Sequence, residues 1–200
     1  MILTVFGANL STITASAPRV PLPTSLGGVS ATINGVIAPI YYVSPGQLNL
    51  QIPYETVVNS NATLVISNSG QTTSTTLRIA AAAPGIFVSN GAPVPTTTAA
   101  HNAVATLYIT GDGAVSPTLA TGAAPSASTA VANLPKPTQS VSLTVGGTAA
   151  TIQFVGIPAG LVGVTQINYV VPASVAAGAQ AVIVTVGGVA SAAATLTVTQ

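Results

Sequence analysis

Gln47-Leu48-Asn49-Leu50-Gln51-Ile52-Pro53 and Gln166-Ile167-Asn168-Tyr169-Val170-Val171-Pro172 share one pattern, Q-h-N-h-x-h-P, in which h is apolar. Side chains of a strand point alternately to its two faces, so Leu48, Leu50 and Ile52 face one way and Gln47, Asn49 and Gln51 the other. Proline cannot donate to a ladder and ends the strand. The same order of strand and stop at two places marks an internal repeat.

Two further stretches recur in the same order. Val29-Ser30-Ala31-Thr32-Ile33-Asn34-Gly35 matches Val141-Ser142-Leu143-Thr144-Val145-Gly146-Gly147, and Leu3-Thr4-Val5-Phe6-Gly7 matches Leu107-Tyr108-Ile109-Thr110-Gly111. Thr63 to Ser67 corresponds to Ala181 to Thr185, and Thr75 to Ile79 to Thr195 to Val198. These are period-2 runs bounded by Asn-Ser-Gly and Gly-Gly turns, as hairpins require. Each copy then holds about six or seven short strands, the number of a sandwich. The expected fold is all-β: two tandem immunoglobulin-like β-sandwich domains, residues 1–100 with a linker at the end, and residues 101–200. Gly91 to Ala100, with Pro93 and Pro95, reads as that linker or as an exposed loop. Ser116 to Pro137 reads as a long loop, either mobile or covering a neighbour. No long helix is expected, at most a helical turn near Ser174 to Ala177. The expected cores are Val5, Ile33, Leu48, Leu50, Ile52, Val65 and Leu77, and Val145, Ile167, Tyr169, Ile183, Leu196 and Val198.

Charge narrows the functions. Arg19, Arg78, Lys136, Glu55 and Asp112 are the only charged side chains, 2% of the chain, where soluble domains carry roughly 25%. The 28 Thr and 17 Ser meet water in their place. A net charge of +1 gives no clustered cations for nucleic acid or an anionic membrane surface. It also removes the self-repulsion that holds proteins apart, which favours association. Mean hydropathy is +0.70, yet no apolar run approaches the roughly 18 residues of a spanning helix. Membrane insertion is not expected. MILTVFGANL lacks a basic start and a small-residue cleavage site, so it reads as a first strand rather than a signal peptide. The expected location is extracellular or cell-surface, with any leader outside this numbering.

Longer strings carry a resemblance. LGGVSATINGVIAPIYYVSPGQLNLQIPYE, APGIF at Ala83 to Phe87, LYITGDGAV at Leu107 to Val115, and GVTQINYVVP with the terminal AVIVTVGGVASAAATLTV resemble the uncharacterised C-terminal β-domain family of large acidobacterial surface proteins. The halves of that family are similar to IPT/TIG-type immunoglobulin-like domains. The resemblance implies an extracellular, non-catalytic module and brings no functional residues with it.

Searched for chemistry, the residues offer little. His101 has no cysteine or second histidine beside it, so no metal and no cofactor are expected. Glu55 and Asp112 are the only carboxylates and stand at unrelated positions, unlike a glycosidase pair. Asp112, between two glycines, reads as a turn residue and Glu55 as a surface charge. Gly27-Gly28, Gly146-Gly147 and Gly187-Gly188 lack the helix and lysine of a phosphate loop. The expectation is a non-enzyme.

Three binding features remain. Tyr41-Tyr42 is either a sugar-stacking platform or one core and one outward tyrosine. The amide rows Gln47, Asn49, Gln51 and Gln166, Asn168 bond within the repeat, to a neighbour or to glycans. Asn9-Leu10-Ser11 and Asn61-Ala62-Thr63 are glycan-attachment sequons on Asn9 and Asn61. Strands without charge at the sheet edges invite pairing with other chains, and the candidates are Leu3, Thr4, Val5 and Phe6 with Thr195, Leu196, Thr197 and Val198. The leading expectation is a self-assembling subunit of a surface fibre or filament, its partners copies of itself. The alternatives are a passive attachment or spacer module, and a carbohydrate-binding adhesion module with surface glycans as partners.

Overall fold

Alternating apolar and polar side chains build strands throughout the computed structural model, which describes residues 1–200. The fold is two tandem immunoglobulin-like β-sandwiches, all-β but for one 3-10 turn at Val131–Asn133. The Ser174 to Ala177 segment is a turn, not a helix.

In the first sandwich, one sheet runs Ile2–Phe6, Gln47–Gln51, Ile40–Val43, Ala15–Ser16, and the other Ser25–Leu26, Val29–Ile33, Ser60–Asn68, Gln71–Ile79. Leu48, Leu50, Ile40 and Val43 of one sheet meet Ile33, Leu64 and Ile66 of the other in a single core. In the second, Gly85–Ile86, Val104–Thr110, Thr165–Val170 and Thr151–Gly156 form one sheet. Its partner runs Thr98–Ala100, Ala194–Thr199, Gly178–Val186, Val141–Val145. Leu107, Ile167 and Tyr169 there face Val145, Val182, Val184 and Leu196. The repeat reaches irregularities as well. Register shifts between Ile40 and Tyr42 in the first copy and between Ile152 and Phe154 in the second, so each copy carries a bulge at the same place in its sheet.

Three expectations change. The core lists had Val65 and Ile183 buried, but both are half-exposed, and the buried residues are Leu64 and Ile66, and Val182 and Val184. Val5, Ile52 and Leu77 flank the first core, partly buried. The boundary expected near Ala100 lies inside the second unit, which starts at Ala82. Gly91 to Ala100 is not a linker, because its backbone is spent in sheets: Ala92–Pro93 pairs with Val88–Ser89, and Thr98–Ala100 pairs in parallel with the last strand. Finally, each unit is discontinuous. The first comprises Met1–Ala81, Leu119–Thr129 and Ala159–Gly163, the second the remainder. Leu119–Thr129, from the middle of the long loop, is held in the first unit by backbone bonds. Leu22 N–H donates to the Gly122 carbonyl at 2.8 Å, and Gly160 N–H to that of Pro125 at 3.0 Å.

Candidate functional site: an open side of the first sandwich

Ile2–Phe6 is the last strand on its side of its sheet, and Gln71–Ile79 is the last of the facing sheet. The hairpin Ser60–Asn68 to Gln71–Ile79 turns on Ser69 and Gly70, both with positive φ, and leaves almost all of Gln71–Ile79 exposed. Thr4 and Phe6 point outward, Phe6 with 76% of its surface in water. Between the two edges lies a groove of about 580 Å³ that includes Val5, Phe6, Leu10, Ile66 and the stretch Gln71 to Thr75. Leu10 and Ile66 belong to the core and form its apolar floor. No charged side chain lines it.

The other candidate edge is closed. Thr195, Leu196, Thr197 and Val198 do not form a sheet edge, because Thr98–Ala100 lies in parallel along the outside of Ala194–Thr199. Thr195 and Thr197 donate their N–H groups to the carbonyls of Gly91 and Thr97 at 2.9 and 3.0 Å, and Thr199 accepts from His101 N–H at 3.1 Å. Leu196 and Val198 are buried in the second core. The backbone groups of this strand are therefore unavailable to another chain. The sequence signal overlooked was the run Gly85 to Ala100, in which prolines hid short strands. Leu10 and Ile66 were overlooked too, since nothing local marks a core residue as the floor of a groove.

The amide rows bond within their own units. Gln47 Nε2 donates to Asn49 Oδ1 at 2.8 Å, and Gln166 Nε2 to Asn168 Oδ1 at 2.9 Å, so the Q-h-N spacing is a side-chain bond across two residues on one face. Gln51 is fully buried, its Oε1 accepting from Gly122 N–H at 2.6 Å. The tyrosine pair does not present two matching faces. The bulge re-aims Tyr41, whose hydroxyl donates to the Val162 carbonyl at 2.8 Å and accepts from Val162 N–H at 2.9 Å. Burial pushes that phenol's pKa up, and the Val162 backbone bond partly offsets this.

Asn9 and Asn61 are both exposed, Asn9 with φ of 56° at the mouth of the groove. His101 is half-buried, with Nε2 donating to the Val175 carbonyl at 2.7 Å. Glu55 is exposed and accepts from Thr121 Oγ1 at 2.7 Å. Asp112 is not a surface turn residue: the positive φ values belong to Gly111 and Gly113, and Asp112 itself is 2% exposed. Its carboxylate accepts from Thr165 Oγ1 at 2.6 Å. Burial raises its pKa and the Thr165 hydroxyl works against that rise. Gly111 is obligatory, since a Cβ there would run into the Ala83 carbonyl. No three His, Cys, Asp or Glu side chains gather into a group that could hold a metal ion, and no helix is long and apolar enough to cross a membrane.

No family model matches the chain, and no curated protein matches it. Solved structures similar to it include SGBP-B of the Bacteroides ovatus mixed-linkage glucan utilization locus, in complex with a mixed-linkage heptasaccharide. That likeness has 14% identity and a TM-score of 0.36, and covers 96% of this chain and 42% of that one. Domains 4 and 5 of the S-layer protein SbsC are similar at 12% identity and a TM-score of 0.28, over 86% of this chain and 71% of that one. Invasin, a bacterial integrin-binding protein, is similar at 15% identity and a TM-score of 0.30, over 100% of this chain and 39% of that one. At these values none of the likenesses bears on what this chain binds.

Proposed function

We propose that this chain is a non-enzymatic structural protein of the cell surface or extracellular space that joins copies of itself into a fibre through strand addition at the first sandwich. The open side between Leu3–Phe6 and Gln71–Thr75 carries this reading. A sheet edge holds a row of outward N–H and C=O groups, and proteins that stay apart guard such edges with lysine, inward charge or proline. Leu3 to Phe6 has none of these, and Gln71–Ile79 has a single charge, Arg78. A strand from another molecule would satisfy the backbone and cover Phe6, and a head-to-tail contact of that kind propagates. The resemblance to acidobacterial surface domains supports the location. The closed state of Ala194–Thr199 moves the expected joint away from the C-terminal strand.

The test is particle size by light scattering and electron microscopy at rising concentration. Large particles that persist in high salt and shrink when lysine replaces Phe6 and Thr73 are expected. A monodisperse monomer at high concentration would remove the self-assembly reading and leave the attachment module in its place.

A further inference from the structure

The second repeat shows what fills the place that stands open in the first. The strand pairings fix the equivalence. Thr4, Val5 and Phe6 lie opposite Asn49, Leu48 and Gln47 as Thr106, Leu107 and Tyr108 lie opposite Asn168, Ile167 and Gln166, so the structural match is shifted by two residues from the sequence match of Leu3 with Leu107. Leu64 and Val182 occupy the same register, opposite Ile33 and Val145, and their hairpin partners are Thr75 and Ala194. In the second sandwich the outer side of both edges is taken by one continuous segment. Gly85 and Ile86 pair with Thr110 and Ile109, which by this register are the counterparts of Ala8 and Gly7. Phe87 N–H then donates to the Tyr108 carbonyl at 2.9 Å, and Tyr108 N–H to that of Val94 at 3.1 Å. The segment crosses to the facing sheet, where Gly91 accepts from Thr195 and Thr98–Ala100 runs beside the last strand. Ile86 packs on the core, and Pro93 and Ala99 are buried. Within residues 1–200 no segment does this for the first sandwich, and its groove lies at the matching position, between Phe6 and Thr75.

Resting on the reading of this side as a strand-acceptor site, we infer that the groove receives an extended, uncharged peptide segment built like Gly85 to Ala100, clamped between two sheet edges. Its first residues run antiparallel beside Gly7 and Ala8, and those in the place of Val94 to Thr96 run antiparallel beside Thr4 to Phe6. An apolar residue in the place of Ile86 covers Leu10, and the chain then turns across to Gln71–Ile79. Charge is excluded from the occupant, because nothing in the groove would pair with it and an unpaired buried charge is costly.

The probe is a synthetic peptide of residues 82–100 of this chain, added to the full-length protein, with a scrambled peptide of the same composition as control. The expected result is saturable one-to-one binding with NMR shift changes at Val5, Phe6, Leu10 and Ile66. The scrambled peptide should not bind. Phe6→Lys and Thr73→Lys, both at exposed positions, should each weaken binding at least about tenfold. Equal binding of the scrambled peptide, no binding at millimolar concentration, or shifts confined to the second sandwich would overturn the inference. Light scattering in the same samples separates this from self-assembly. A monomer that binds the peptide upholds the acceptor site and removes the homopolymer, whereas a polymer that excess peptide neither binds nor disperses does the reverse.

Discussion

Tyr169 holds in the second copy the place that Leu50 holds in the first, and it brings an aromatic ring and a hydroxyl with no hydrogen-bond partner into a fully buried site. Burial alone pushes its pKa up to about 12. Folding then opposes ionisation, so stability is unaffected below the ordinary tyrosine pKa near 10 and declines as pH rises from there toward the folded value. Tyr169→Phe removes both the orphaned hydroxyl and this decline. The variant should be as stable as the parent at pH 7 or up to about 1 kcal/mol more so, and it should gain further on the parent between pH 10 and 12 in urea titrations. A variant less stable at both pH values would mean that the hydroxyl has a partner. The sequence showed Tyr169 as a core residue because its neighbours alternate. It misplaced Asp112, because Gly-Asp-Gly is locally a turn, and what buries the carboxylate is a hydroxyl 53 residues away at Thr165.

At the scale of strands, alternation was readable where polar residues punctuated it and silent where they did not. Gln47 to Leu50 alternates cleanly, and Leu48 and Leu50 are buried where the pattern put them, while Gln51, on the polar face, is buried under Gly122. Leu64-Val65-Ile66 and Val182-Ile183-Val184 are uninterrupted apolar triplets, so either face could have been the inner one. Cross-strand register decides it, pairing Leu64 with Ile33. Leu64→Ala should therefore cost about 2–5 kcal/mol, while Val65→Thr should stay under about 1 kcal/mol. Equal losses in chemical denaturation would put Val65 inside. The edge of a sheet was less legible than its faces. Whether a strand is last in its sheet depends on what lies beside it in space, and a two- or three-residue strand such as Thr98–Ala100 leaves almost no periodic trace. That is why Leu3–Phe6 and Thr195–Val198 looked alike in sequence while only the first is open.

For the molecule as a whole, the repeat was legible but the partition of the chain was not, because loops follow no period and Leu119–Thr129 and Ala159–Gly163 join the first sandwich through tertiary bonds. A fragment of residues 1–100 lacks both segments. Gly122 no longer donates to the buried Gln51, and Tyr41 loses both bonds to Val162. Each loss leaves a buried or half-buried polar group unmet, at about 1–3 kcal/mol apiece. By calorimetry the fragment should melt at least about 10 °C below the first transition of the intact chain. A fragment that melts with the intact protein would show that the two segments add nothing. The same discontinuity has a temporal side. A ribosome or a secretion channel delivers the chain from its amino end, so the half that emerges first is the one that must wait. Its strands are out once Ile79 has passed, but the last piece it needs arrives with Gly163, some eighty residues later. At synthesis rates of about 5–20 residues per second that delay is on the order of ten seconds. Throughout it a sandwich with an uncharged open side and an uncovered Gln51 stands among its nascent siblings. Any chaperone that attends this chain has its work set by that interval.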